Sequence, residues 1–126
     1  MLIRILYIGV GGFLGSILRY LVSKGINNLF PFAFLPYGTI AINMIGSFIL
    51  TFLMTATYIR YQLSLEVFCF FATGFLGAFT TFSTFSYETL KLFSESHIRA
   101  LIYFGVMIFL GILSAYLGFL AARIKL

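Results

Sequence analysis

Thr73-Gly74-Phe75-Leu76-Gly77-Ala78-Phe79-Thr80-Thr81-Phe82-Ser83-Thr84-Phe85-Ser86 sets two glycines and then a run of hydroxyl side chains inside an apolar segment. Such a stretch makes a poor continuous helix, because glycine weakens a helix interior and serine and threonine offer the backbone other partners. At membrane depth, non-helical backbone is tolerated only where it is buried in protein or lines an aqueous cavity. The reading therefore predicts a break around Gly77-Ala78-Phe79-Thr80-Thr81-Phe82-Ser83 that frees carbonyls for a bound ion. Carbonyl oxygens suit a hard cation. Phe79, Phe82 and Phe85 then recur at steps of three, interleaved with Ser83, Thr84 and Ser86. That spacing serves ordinary packing, but ring edges carry positive charge and, beside hydroxyl donors, suit a partly dehydrated small anion. From these residues alone, anion and cation stay open.

The rest of the chain supplies the bilayer. Of 126 residues, 62% are hydrophobic and 9% charged, against roughly 45–50% and about 25% in soluble domains. Four apolar runs, at about residues 5–22, 38–59, 65–85 and 100–122, each approach the length a bilayer core requires. The fold class expected is an all-α membrane protein of four transmembrane helices with a break in the third, in one transmembrane domain over residues 1–126. No soluble catalytic domain fits. The first run is too long, and continues too directly into glycine-rich helix, to be only a signal peptide, so it is expected to stay as a span. The net charge of +5 does not point to nucleic acid, because the basic residues mostly end apolar runs, where they anchor to headgroups. Cys69, the one cysteine, reads as a small buried hydrophobe.

Short connections join the runs. Ser23-Lys24-Gly25-Ile26-Asn27-Asn28 is expected to end the first helix, with Pro31 and Pro36 keeping the next stretch irregular. Arg60-Tyr61-Gln62-Leu63-Ser64 reads as the second turn, and Lys91 to Arg99 as a polar third connection holding an interfacial helical turn. Small residues four apart, Gly11 with Gly15, Gly12 with Ser16, Gly111 with Ala115 and Gly118 with Ala122, let helix backbones approach closely. Four spans put Arg4, Arg60, Arg123 and Lys125 on one side and Arg19, Lys24, Lys91 and Arg99 on the other. That divides the eight Lys and Arg evenly, so the positive-inside rule sets no orientation. Insertion both ways and an antiparallel homodimer follow as expectations.

In the second helix Thr39, Asn43, Ser47 and Thr51 stand at steps of four, a polar stripe on one slowly turning face. Serine and threonine can satisfy themselves on their own helix carbonyls, which is the reading for Thr51. Asn43 cannot, so its amide is expected to face a partner or a cavity. Arg19 reads as a snorkelling anchor at a helix end. Glu66, Glu88 and His97 read as solvated charges near span ends, Glu88 being closest to the phenylalanines.

Gly11-Gly12-Phe13-Leu14-Gly15 with Arg19-Tyr20, Gly38-Thr39-Ile40-Ala41-Ile42-Asn43-Met44-Ile45-Gly46-Ser47 and Gly74 through Ser86 together resemble the Fluc (CrcB) fluoride channels. The likeness spans three of the four helices. It implies a dual-topology antiparallel homodimer in the inner (plasma) membrane, with two fluoride pores and a structural sodium ion at the dimer centre. By similarity, the backbone carbonyls of Gly77 and Thr80 would hold the sodium. Phe82 and Phe85 would form an aromatic box, with Asn43 orienting the pore beside it. Thr39, Ser83 and Thr84 would be polar-track residues, and Arg19 would attract anions at a vestibule. The family often places hydroxyl side chains on the fourth helix, where this chain offers Tyr103, Ser114 and Tyr116, and which of them lines the pore stays open.

The expected function is passive export of fluoride, with membrane lipid, the second copy, fluoride and sodium as the partners. A small dual-topology multidrug exporter needs an embedded acid, and the first helix has no Asp or Glu. A structural subunit would need only the small-residue faces and leaves Asn43 and the hydroxyl-rich stretch unexplained. An enzyme is least favoured, since no carboxylate pair, histidine cluster or activated nucleophile lies within a span.

Overall fold

The computed structural model describes residues 1–59 and 62–124; Arg60, Tyr61 and Lys125, which enter the turn and charge readings above, lie outside the described residues, as does Leu126. Every element described is helical. α1 spans Leu2–Leu29 and α2 spans Tyr37–Ile59. α3, Leu65–Phe68, continues as a π-helical stretch, Cys69–Leu76, and then as α4, Gly77–Phe79. α5 spans Phe82–Glu95 and α6 spans His97–Arg123. Four helical segments, Leu2–Leu29, Tyr37–Ile59, Leu65–Glu95 and His97–Arg123, are long and apolar enough to cross a membrane.

α1 is longer than expected. Instead of stopping at Ser23–Asn28 it runs through them to Leu29. Tertiary contacts stabilise that last turn: the Asn27 Oδ1 accepts a hydrogen bond from the Gly38 amide at 3.1 Å. The stop signal is Pro31. It biases Phe30 away from helical geometry, and Phe30 sits at φ −126°, ψ 65°. The 28 residues reach about 42 Å at 1.5 Å per residue, more than a hydrocarbon core of about 30 Å. Arg19 therefore lies ten residues before the end of α1, about 15 Å inside it, and not at a helix end as the anchor reading assumed.

A second correction concerns the third connection. α5 continues to Glu95 and α6 begins at His97, so the expected polar loop from Lys91 to Arg99 shrinks to Ser96. Ser96 is extended, at φ −161° and ψ 113°, and its side chain accepts the Arg99 amide as an N-cap. Glu88, expected near a span end, consequently sits in the middle of α5.

Between α4 and α5 the chain passes through two extended residues, Thr80 at φ −79°, ψ 156° and Thr81 at φ −149°, ψ 115°. Thr81 caps α5, its Oγ1 accepting from the Thr84 amide at 3.2 Å. Gly77, Ala78 and Phe79 are helical.

α2 lies along α6, α5 packs on α6, and α1 packs along the π-helical stretch, α4 and α2. At the α1 crossing the glycines leave room for backbone. A Cβ on Gly11 would collide with the Phe70 carbonyl oxygen, and one on Gly15 with the Phe75 carbonyl oxygen. The core at the other end gathers Leu35, Phe85, Leu92, Ala100, Tyr103 and Met107. Large apolar side chains cover much of the outside, among them Phe13, Phe109 and Ile112, as a lipid solvent permits.

Candidate ion pathway

The polar stripe of α2 faces the extended residues and α5. Asn43 brackets the Thr81 peptide: its Oδ1 accepts the Thr81 amide at 2.9 Å and its Nδ2 donates to the Thr81 carbonyl at 3.3 Å. Both halves of the amide are thereby satisfied, which answers the cost of an asparagine in a medium without water. Close packing helps, because Gly46, one turn along α2, has no Cβ to displace the Thr80 Cγ2 methyl.

These side-chain bonds change the carbonyls upstream. In a continuous helix the Gly77 carbonyl would accept from the Thr81 amide and the Thr80 carbonyl from the Thr84 amide. Here the Thr81 amide donates to Asn43 and the Thr84 amide to Thr81 Oγ1. The two carbonyls expected to meet a cation are thus those whose helical donors are engaged elsewhere. Gly77 is exposed and Thr80 half-buried.

Asn43, Ser47, Thr80, Thr81, Phe82 and Phe85 line one cavity of about 240 Å³, with Met107 and Gly111 of α6 opposite. Phe85 is 5% exposed and Phe82 77%. Their rings meet edge to face, with centroids 5.7 Å apart at 63°. Phe85 also packs against Tyr103 at 5.5 Å and 62° and against Phe104 at 5.9 Å and 27°. Several neighbours fix its ring, whereas Phe82 stands at the edge of the chain. Ser83 and Thr84 are exposed, and both lie within hydrogen-bonding distance of Thr81 Oγ1, at 3.3 and 3.0 Å.

A second cavity, of about 220 Å³, brings Arg19, Tyr20 and Ser23 of α1 together with Thr39, Ile42, Thr81 and Thr84. Arg19 and the expected hydroxyl residues therefore share one space, apart from Ser83. A third cavity, of about 300 Å³, opens beside the loop between α1 and α2, with Asn27, Glu88, Lys91, Glu95 and Arg99 among its walls. Thr39 and Glu88 separate the second cavity from the third. The Thr39 hydroxyl donates to Glu88 Oε1 at 2.9 Å and the Tyr103 hydroxyl to Glu88 Oε2 at 2.6 Å.

Glu88 is therefore a half-buried acceptor between two hydroxyls, with one side on the third cavity. This also separates the fourth-helix hydroxyls. Tyr103, fully buried, reaches the site; Tyr116 lines an apolar groove on the outer face of α6, and Ser114 lines none of these cavities. The sequence reading missed Thr81 and Glu88 as site residues. Thr81 had a usable signal, a threonine directly before the apolar-periodic run that starts at Phe82, the position of an N-cap. Of the other two residues read as solvated near span ends, Glu66 pairs with Arg4 at 3.6 Å at the far end of α1, and His97 is exposed against the Phe93 ring.

Comparison with known proteins identifies the family. The profile of the family described as CrcB-like protein, Camphor Resistance (CrcB), matches residues 6–119. The chain is 45% identical over 122 residues to the fluoride-specific ion channel FluC of Thermosipho melanesiensis, covering 97% of this chain and 98% of that one. It is 51% identical over 120 residues to the protein of the same name from Thermotoga petrophila, covering 95% and 94%. Over 96 residues it is 51% identical to that of Methanocaldococcus jannaschii, covering 75% and 73%.

Proposed function

The chain belongs to the CrcB family, and from that premise we propose that it is a fluoride-selective channel, a transporter and not an enzyme. Fluoride holds its water tightly, so a narrow path must replace hydration with fixed donors and positive ring edges. The observation that carries the reading is the cavity in which Phe82 and Phe85 meet edge to face beside Asn43 and Thr81. Phe85 is held by its neighbours, so its ring stays fixed as an anion passes. Thr39, Ser83 and Thr84 supply hydroxyls along the route, and Arg19 concentrates anions in the cavity it shares with Thr39 and Thr84. Glu88 orients the Thr39 and Tyr103 hydroxyls at the far end.

Phe82, Ser83 and Thr84 are exposed on a single chain, which supports a second copy closing the path. With the even charge balance, we read the assembly as an antiparallel dual-topology homodimer with two pores. The extended pair Thr80 and Thr81 is, in this reading, the break in the third span. The Gly77 and Thr80 carbonyls, left by their helical donors, would hold a sodium ion at the dimer centre, where the ion supplies fixed positive charge between the copies. The channel acts in the inner (plasma) membrane and lets accumulated fluoride leave passively; HF that crosses lipid and dissociates inside would supply that fluoride.

Purified protein in liposomes is expected to dissipate a fluoride gradient and to leave a chloride gradient standing. Equal efflux of both ions would defeat the fluoride assignment. Orientation is tested separately: a cysteine placed at Lys24 in intact cells should label in part from each side, and labelling from one side alone would remove dual insertion.

A further inference from the structure

The loop between α1 and α2 is tied down by a residue far away in sequence. Arg99, in the first turn of α6, donates to the Phe34 carbonyl from Nε at 3.1 Å and from Nη2 at 2.8 Å. Its Nη1 reaches Glu95 at 3.4 Å, and its guanidinium lies 5.2 Å from the centre of the Phe34 ring. The planar, forked donor set of arginine suits such a clasp, and a lysine ammonium cannot reproduce it. Next to the clasped carbonyl, Leu35 is 9% exposed and belongs to the cluster that contains Phe85 and Tyr103, while Phe32, three residues before, is 98% exposed. The loop thus hangs outward on one side of the clasp and enters the core on the other.

Resting on the fluoride reading, we propose that Arg99 is a positioning residue for the pore: by clasping Phe34 it keeps Leu35 in the cluster that seats Phe85 and Tyr103. The Arg99 charge is committed to a carbonyl and a carboxylate, so recruitment of anions is not its task. Lys91 lines the same cavity, on the α5 side.

A double-mutant cycle with a loop label tests this. Arg99→Gln and Leu35→Ala are each expected to lower fluoride efflux from liposomes about tenfold, and the double variant no further than the worse single, as for residues acting through one contact. Arg99→Lys should recover little. A nitroxide on Phe32→Cys, in a Cys69→Ala background, should gain mobility with Arg99→Gln, while one on Phe109→Cys of α6 should stay as in the parent. Losses that multiply to about a hundredfold would overturn the proposal. So would full efflux from Arg99→Lys combined with a salt-screened defect in Arg99→Gln, which would make Arg99 an electrostatic attractor. An immobile loop label in Arg99→Gln overturns it as well. If the parent protein passes no fluoride, the fluoride reading fails, and the label still decides whether Arg99 holds the loop.

Discussion

The crossing of α1 over the π-helical stretch and the corner where α2, α5 and α6 meet are held together by opposite means. At the crossing, side chains are missing: Gly11, Gly15 and Gly74 bring backbone against backbone, with Phe70 and Phe75 carbonyls where a Cβ would stand. At the corner, polar side chains are present and saturated, with Asn43 on the Thr81 peptide and Thr39 and Tyr103 on Glu88. Lipid is as apolar as leucine, so helices gain nothing by hiding apolar surface from it and must associate through close packing or hydrogen bonds. The first region uses the former and the second the latter. Close packing tolerates no added atom, whereas a hydrogen-bonded corner can lose one partner and keep its shape. Fold failure should therefore map to the crossing, and graded loss of transport to the corner.

The largest effect is expected from the smallest change at the crossing. Gly15→Ala adds one methyl group where the Phe75 carbonyl stands, and backbone has no rotamer with which to yield. Gly9→Ala, on the same helix, meets nothing within 4 Å and should be neutral or stabilising by up to about 1 kcal/mol, the helix-propensity difference. In detergent, Gly15→Ala should lose most of its folded, monodisperse protein by size-exclusion chromatography, and Gly9→Ala should keep it. Equal profiles would erase the contrast between the regions. Next comes Phe85→Ile. It keeps bulk in the cluster but removes the ring edges, and losing roughly 1.4–2.7 kcal/mol of ion stabilisation slows passage by about ten- to a hundredfold. Fluoride efflux should fall by that amount with the elution profile unchanged, and wild-type efflux would return Phe85 to packing.

The corner was the more legible region. Steps of four placed Thr39, Asn43 and Ser47 on one face, and that face meets Thr81, Glu88 and the phenylalanines, because an α-helix carries residues four apart on one side whatever packs there. Asn43 was expected to need a partner, and it has one in the Thr81 peptide. Helix ends were less legible. Ser23–Asn28 carries turn formers, yet the Asn27 bond to the Gly38 amide, a contact across eleven residues, keeps that turn helical; local composition cannot report a tertiary bond. Glu88 was misplaced for the same reason: the span drawn to Phe85 stopped where apolar residues thin out, while the helix runs to Glu95. The π-helical stretch Cys69–Leu76 had no signal, since its residues read as ordinary helix. Arg99 was read only as a charge on one side of the membrane, since its clasp on Phe34 spans 65 residues.

The smallest effect is the most specific test of the corner. Thr39→Val removes one of the two hydroxyls on Glu88 and keeps the side-chain shape; Tyr103→Phe removes the other. A net hydrogen bond to a charged group contributes about 1.5–3 kcal/mol, but Glu88 keeps one donor in each single variant and also borders the roomy cavity at the mouth, where water can replace the lost hydroxyl. Each single variant should therefore keep its fold and lose only a few-fold in fluoride efflux, with Tyr103→Phe the more affected because its oxygen is the closer to Glu88 and its residue fully buried. The double variant, with Glu88 stripped of both, should lose more than the product of the singles. Such synergy would separate a corner whose partners stand in for one another from the crossing, where a single methyl group is enough. Strict additivity would mean that the two hydroxyls act independently of Glu88.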